Sequence, residues 1–333
     1  MRIVVIGAGA MGGSYGGLLA ESGHDVALVD TWEEHVRAIE RDGLLVDGAR
    51  GEHRLRLPVT TGVAGLEPAD VVICFVDSNN TRAAAAGAAE VCRPDGFAIT
   101  FQNGIGNVEA LQAAVGPERV LGGSSMCSAA VVGPGHVRLT HHATTSLGEI
   151  GGGSSPRAER LAEALRGAGL ESRVVPDVMA TIWTKFALNC AINAICATTG
   201  LRLGEVVRVP ELDAFQHRVI DEVLAVAARK GVALTDPDLR KTVKDHCQRK
   251  FSRPSMLQHV DAGRRTEIDA LNGALVREAK AIDLPVPYNE SLVALLKGRE
   301  LREIRRHTLP NLDFEAWEAK VRAGDPSPEP PVG

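Results

Sequence analysis

Aromatic residues are scarce: three Trp, two Tyr and seven Phe among 333 positions, or 4%. A core made without them is filled by Ala, Val, Leu and Gly, whose small side chains let helices and sheets approach closely, as in an α/β protein. The six cysteines (Cys74, Cys92, Cys127, Cys190, Cys196 and Cys247) include no Cys-x-x-Cys pair and no metal-ligand spacing with a His. That excludes a disulfide framework and a zinc site, and thiols in apolar runs are expected to act as small buried hydrophobes. The net charge is −5, with no basic block and no Arg–aromatic interleaving, so nucleic acid is not an expected partner. No apolar run reaches the length of a bilayer span, and Met1-Arg2 leads directly into a strand-like run rather than a signal sequence. A cytoplasmic protein without membrane contact is expected. With 44% hydrophobic and 24% charged residues, the chain has the balance of a globular protein and the length of two domains.

What is present begins with Arg2-Ile3-Val4-Val5-Ile6, a β-branched run of the kind found in buried parallel strands. It leads into Gly7-Ala8-Gly9-Ala10-Met11-Gly12 and then a helical stretch from Tyr15 to Glu21. Strand, tight turn and helix form the setting in which G-x-G-x-x-G binds a dinucleotide. Gly7 permits the turn, Gly9 lets a pyrophosphate reach the backbone, and Gly12 lets helix and strand pack. The phosphates then meet the free N–H groups of the helix N-terminus. Asp25–Val29 reads as a second strand, ending at Asp30, eighteen residues after Gly12. An acid there accepts the adenosine ribose hydroxyls and repels a 2′-phosphate, and no cation follows in Thr31-Trp32-Glu33-Glu34. This favours NAD, with NADP as the alternative cofactor; Asp30 is equally placed to cap a helix beginning near Thr31.

Leu55, Leu57 and Val59 alternate as in a short strand, which Pro58 confines to a sheet edge. Asp70–Val76 is a near-continuous apolar strand with Asp77 at its end, and Gly96–Phe101 is another, ending in Gln102-Asn103-Gly104. Carboxyl ends of parallel strands face the ligand crevice, which makes Asp77 and Asn103 candidates by position. Asn-Gly is also the composition of a plain turn. Further strands are expected at 120–123, 135–140, 144–150 and 172–175, with a helix at 156–169.

From Asp177 the pattern becomes helical, at about 177–198, 210–230, 236–249, 254–282 and 287–307, with Pro210, Pro237, Pro254 and Pro287 near the starts. The expected division is an α/β domain at 1–176, an all-helical domain at 177–315, and a flexible tail at 316–333, Pro-rich from Gly324. The first helix has Asp177 as its N-cap and neither Gly nor Pro between Ile182 and Asn193. Lys185, Asn189 and Asn193 stand at i, i+4 and i+8 and so share one face. An unpaired buried polar group costs ~1–3 kcal/mol, so the stripe reads as a proton donor beside two orienting amides. The alternative is a snorkelling lysine and two Asn bonded to nearby backbone. Ser255 and Glu267 are twelve apart and, on one long helix, lie on roughly one side; each also has the ordinary reading of a cap or a solvated charge.

Five motifs in order resemble the ketopantoate reductases (2-dehydropantoate 2-reductases) of the 6-phosphogluconate-dehydrogenase-like superfamily. They are Gly7-x-Gly9-x-x-Gly12, Gln102-Asn103-Gly104, Trp183-x-Lys185-x-x-x-Asn189-x-x-x-Asn193, Ser255-Met256-Leu257-Gln258 and Thr266-Glu267-Ile268-Asp269-x-x-Asn272-Gly273. The resemblance implies a Rossmann domain, a helical domain and an active site in the cleft between them. It implies Lys185 as general acid, Glu267 as the acid assisting the substrate alcohol or the lysine, and Asn103 as the amide near nicotinamide and substrate. Asn189, Asn193 and Ser255 would hold a small-molecule substrate, and a homodimer is left open. Two positions depart from the family: Asp77 stands where Lys is usual, and Asp30-Thr31 where an Arg usually holds a 2′-phosphate. The expected activity is reduction of a 2-oxo acid, with NAD-dependent oxidation of another hydroxy compound or lactone as the alternative.

Overall fold

The opening run Arg2–Ile6 is strand β1, and a sheet grows on both sides of it. The computed structural model describes residues 1–309 and 313–324. They divide into one unit of 1–186 with 232–235, and a second of 187–231 with the chain from 236 onward. The first unit's remaining strands are β2 (Asp25–Val29), β3 (Leu44–Gly48), β4 (His53–Leu55), β5 (Val59–Thr60), β6 (Ala69–Cys74), β7 (Cys92–Thr100), β8 (Val120–Ser125), β9 (Ser128–Gly133), β10 (His136–His141), β11 (Thr145–Glu149) and β12 (Ser172–Val174). Its helices are α1 (Ala10–Glu21), α2 (Glu33–Asp42), α3 (Thr81–Val91), α4 (Asn107–Val115), α5 (Pro156–Gly167) and the start of α6 (Val178–Thr199).

Eight strands form the main sheet in the order β12-β11-β8-β7-β6-β1-β2-β5. From β8 to β5 every pairing is parallel, and β11 returns antiparallel beside β8. The chain leaves β1 toward β2 on one side and later places β6 on the other. That reversal of strand order opens a ligand crevice at the carboxyl ends. A second sheet runs β4-β3-β10-β9. The strand expected around Leu55–Val59 is divided at Pro58: β4 edges the second sheet and β5 edges the first, because a residue without an N–H cannot continue a ladder.

Helix α1 lies between the sheets. A methyl on Gly16 would meet Leu28 and Val5 of the main sheet, and one on Gly17 would meet Leu55, Val46 and Leu44 of the other. The helix therefore begins at Ala10, ahead of the expected Tyr15, since its glycines are packing surface rather than turn. Five of the six thiols are buried, and burial pushes Cys74 and Cys196 up to about 12, as expected of inert packing residues.

Asp177 caps α6 through its Oδ1, which accepts the Ala180 N–H at 2.8 Å. The expected boundary precedes this helix, whereas the division of the structure falls inside it, after Phe186. The reason is local. Gly122 on β8 and Gly148 on β11 leave room for Val178 and Ile182, so the first turns of α6 rest on the sheet. At 22 residues α6 is also long and apolar enough to span a membrane, against the expectation that no run is; 67% of that window is buried, so it is a core helix.

Among the described residues the second unit's regular elements are all helical: the remainder of α6, then α7 (Leu203–Val206), α8 (Pro210–Arg229), α9 (Leu239–Arg249), α10 (Ser255–Asp261), α11 (Asn272–Lys280), α12 (Pro287–Thr308) and α13 (Phe314–Arg322). The single helix expected over 254–282 does not form. After Asp261 the Arg264 N–H returns to the His259 carbonyl and the Gly263 N–H to the Val260 carbonyl, with Gly263 at φ +64°. This is the left-handed helix stop that glycine favours. Ser255 and Glu267 are thus on different elements, and their expected common side on one helix is withdrawn. Residues 316–322, placed in the flexible tail by sequence, are helical. The Pro-rich stretch lies, from residue 325, outside the described residues.

Gly263→Ala should cost about 1–3 kcal/mol in chemical denaturation, from the positive φ and from overlap with the His307 ring. Gly298→Ala, in α12 with open space around the new methyl, should instead stabilise by about 0.5–1 kcal/mol.

Candidate active site

The glycine loop leaves β1 at Gly7, whose φ is +95°; a Cβ there would lie 2.7 Å from the Val76 nitrogen. One on Gly12 would lie 1.8 Å from the Gly7 carbonyl oxygen, so loop and helix meet without space for a methyl. Gly9 is the opposite case, with nothing within 4 Å of the added atom. Gly9 is also the N-cap of α1, and no side chain caps the helix. The N–H groups of Ala10, Met11 and Gly12 therefore face outward as helix-terminal donors. An open approach at Gly9 and uncapped donors behind it fit a dinucleotide pyrophosphate. Ala8 is buried, and its carbonyl accepts from Nε2 of buried His35, whose Nδ1 accepts the Gly135 N–H; those two bonds fix the tautomer.

Asp30 follows β2 and does not cap α2, whose N-cap is Trp32. Its Oδ1 accepts the Trp32 N–H at 2.9 Å, which leaves the carboxylate half-exposed at the strand end. Trp32 is 39% exposed and stacks on His35 at 5.1 Å with the planes 8° apart. The sequence reading passed over this indole, though its place two residues beyond Asp30 was the available signal.

Register aligns the other candidates. Cys74 pairs with Thr100, and Thr100 with Gly122. Two residues beyond the next position on each strand stand Asp77, Asn103 and Ser125, in one row along the carboxyl edge. Asp77 is exposed and starts a 3-10 turn, Ser78–Asn80. Asn103 is half-buried, and its carbonyl accepts from Ser78 Oγ and Asn107 Nδ2, both at 2.9 Å. Gln102, named only as part of a motif, binds this edge together: its Nε2 donates to the Val76 carbonyl at 2.7 Å and to Thr81 Oγ1 at 2.9 Å. Thr81 in turn donates to Asn107 Oδ1 at 2.7 Å.

Lys185 joins the row from α6. Gly122 admits Ile182, and three residues on along each element the half-buried Lys185 Nζ donates to the Ser125 carbonyl. The structure thus brings the glycine loop, Asp30, Asp77, Asn103 and Lys185 to one edge of one sheet. Ser125, which receives the lysine, was missed because a serine ending a strand carries no sequence signal.

The remaining candidates belong to the second unit. Asn189 is half-buried and Asn193 is 8% exposed, one and two turns beyond Lys185 on the uninterrupted α6. Ser255 is the exposed first residue of α10, and half-buried Glu267 sits in the segment before α11, its carbonyl accepting from Ala270 and Leu271. Asn272 of the same motif is wholly buried and donates to the Cys190 carbonyl and Asn289 Oδ1.

The family model Ketopantoate reductase PanE/ApbA matches residues 3–152, and Ketopantoate reductase PanE/ApbA C terminal matches 177–300. The chain belongs to the ketopantoate reductase family. It is an NAD(P)-dependent oxidoreductase of that family, with a Rossmann-like N-terminal domain and a helical C-terminal domain. The 2-dehydropantoate 2-reductases of Archaeoglobus fulgidus and Pyrococcus horikoshii are 34% and 32% identical over 300 residues, covering 90% of this chain and 98% of each of theirs. The solved PanE/ApbA family ketopantoate reductase from Ralstonia eutropha JMP134 has a TM-score of 0.85 at 30% identity, over 91% of this chain and 99% of that one. D-mandelate dehydrogenase, solved with NADH and anilino(oxo)acetate, has a TM-score of 0.84 at 27% identity over the same shares, 91% and 99%.

Gly9→Ala should fold with wild-type stability and bind NADH at least about tenfold more weakly, the ~1.4 kcal/mol of one added steric contact. Gly12→Ala should instead lose stability by about 1–3 kcal/mol, because the Gly7 carbonyl must move. Melting and cofactor titration of the pair separate the two roles.

Proposed function

We propose that the protein reduces a 2-oxo acid of the ketopantoate type to the 2-hydroxy acid, with NAD(H) as preferred cofactor and Lys185 as proton donor. The observation that carries this reading is the lysine Nζ held by the Ser125 carbonyl of β8, the strand next to β7, whose end leads into Asn103. A bound reduced nicotinamide supplies the hydride. As the carbonyl carbon receives it, the oxygen gains negative charge, and an ammonium at hydrogen-bond distance both stabilises that charge and transfers a proton. Lys185 recovers its proton from water, and in the oxidative direction the neutral amine removes the alcohol proton. Reduction therefore declines as pH rises through the lysine's titration, and oxidation declines as pH falls. Asn103, whose main-chain carbonyl is clamped, is assigned to the nicotinamide and substrate on the strength of its motif. Asn189, Asn193 and Ser255 are assigned to holding the substrate's polar groups, and Glu267 to assisting the alcohol or the lysine, on the strength of their motifs. The six unpaired cysteines suit a reducing cytoplasm.

A second reading has two observations behind it. Asp77 puts an exposed carboxylate on the site edge, which disfavours an anionic group beside it. D-mandelate dehydrogenase, solved with NADH, has nearly the same fold. An NAD-dependent dehydrogenase for a different hydroxy acid accommodates both.

Fluorescence titration should give tighter binding of NADH than of NADPH, since Asp30 faces the position of a 2′-phosphate; tighter NADPH binding would refute the assignment. With ketopantoate and an aryl 2-oxo acid as substrates, Lys185→Met should lower kcat by about 10²–10⁴-fold at nearly unchanged NADH affinity. Near wild-type turnover in that variant would remove the lysine from the mechanism. The ratio of kcat/KM for the two substrates decides between the readings.

A further inference from the structure

Tyr15 carries a phenol hydroxyl in a place where a phenylalanine would fill the same space. The residue lies on α1, one turn past the glycine loop, and is 0% exposed. Its ring packs on Phe75 at 5.0 Å and on Phe101 at 6.0 Å, the residues just beyond β6 and β7. Phe75 stands two residues before Asp77, and Phe101 two before Asn103. The aromatic contacts alone would therefore fit the helix against both strand ends.

The hydroxyl does something else. It bonds Ser125 Oγ at 2.7 Å and Thr145 Oγ1 at 2.5 Å. Ser125 Oγ also accepts the Cys127 N–H at 3.1 Å and lies 3.4 Å from Thr145 Oγ1. Ser125 and Thr145 are both buried, on adjacent antiparallel strands and directly paired in register. Burial pushes the Tyr15 phenol far above its ordinary range, so it remains a neutral hydroxyl at any working pH. The nearby Cys127 thiol is engaged with the Ala143 carbonyl at 3.0 Å. Ser125 is thus held by its side chain from several directions, while its carbonyl receives Lys185 Nζ.

We infer that Tyr15 is a positioning residue for the proton donor: through Ser125 it holds the carbonyl that orients the Lys185 ammonium, and so ties the lysine to the helix carrying the dinucleotide loop. The inference rests on Lys185 being the proton donor. A fixed carbonyl acceptor favours the charged lysine, because the neutral amine forms a weaker bond. The peptide that carries this carbonyl is also held through the Met126 N–H, which donates to the Thr144 carbonyl at 3.1 Å, so losing the clamp loosens the carbonyl without releasing it and leaves the lysine less well aimed and easier to deprotonate.

The test compares wild type, Tyr15→Phe, Thr145→Ser and Lys185→Met. Tyr15→Phe should lower kcat for reduction about three- to tenfold, the effect of one ordinary hydrogen bond, with NADH affinity unchanged. The high-pH limb of its kcat profile should move about half a unit toward lower pH. Competitive acetylation of Lys185 by acetic anhydride in the free protein, followed by mass spectrometry across pH, should shift in the same direction without any turnover. Thr145→Ser, which retains a hydroxyl, should match wild type. A Tyr15→Phe protein with a lowered melting temperature but an unmoved pH limb and acetylation curve would overturn the inference, since the hydroxyl would then serve stability alone. Should Tyr15→Phe fail to fold, Ser125→Ala cuts the same bond from its other end and is read identically. Full turnover in Lys185→Met would overturn the proton-donor reading and this inference with it; loss of turnover there with no shift in Tyr15→Phe would overturn the inference alone.

Discussion

Helix α1 can stand where it does only because positions 12, 13, 16 and 17 carry no side chain. Gly12 touches the Gly7 carbonyl, Gly13 the Val137 side chain, Gly16 Leu28 and Gly17 Val46. Each glycine inside a helix costs about 1 kcal/mol relative to alanine. Four in a row of faces are tolerable because two sheets close on the helix at atomic contact, and that contact fixes the helix N-terminus over the carboxyl ends of β1 and β6. The outward N–H groups at the start of α1 are a by-product of this packing: they are aimed by the helix axis, and Gly9 beside them is open because neither sheet reaches it.

A second pair of glycines does for the lysine what the first group does for the cofactor loop. Gly122 admits Val178 and Ile182 of α6, and Gly123 admits the ring of Phe101. With no side chain at these two positions of β8, helix and neighbouring strand both settle close to its end, and Lys185 meets the Ser125 carbonyl. A long flexible cation is thereby brought to a main-chain carbonyl on a buried strand, a firmer anchor than a surface ion pair.

Much of this was legible in sequence. The strands β1, β2, β6 and β7 announced themselves as apolar runs, and the glycine fingerprint, the acid at Asp30 and the i, i+4, i+8 stripe from Lys185 were readable as periodicity and spacing. What was not legible has physical reasons. The length of α1 was hidden because glycines used as packing surface look like a turn. The division inside α6 was hidden because helix propensity does not report which neighbour a helix face meets. The break at Gly263 was overlooked, although an isolated glycine after a short apolar stretch is an ordinary stop. Ser125, Tyr15 and Gln102 act through contacts 21 to 130 residues apart in the chain, a distance over which local pattern is silent.

The glycine content of α1 also bears on how the chain is made. As an isolated segment it has almost no tendency to coil, and its second supporting sheet is not complete until β10 ends at His141. More than a hundred residues separate the end of α1 from the end of β10, and long-range packing of that kind forms slowly. The glycine loop ahead of α1 is therefore held in its final shape only by packing that reaches as far along the chain as His141.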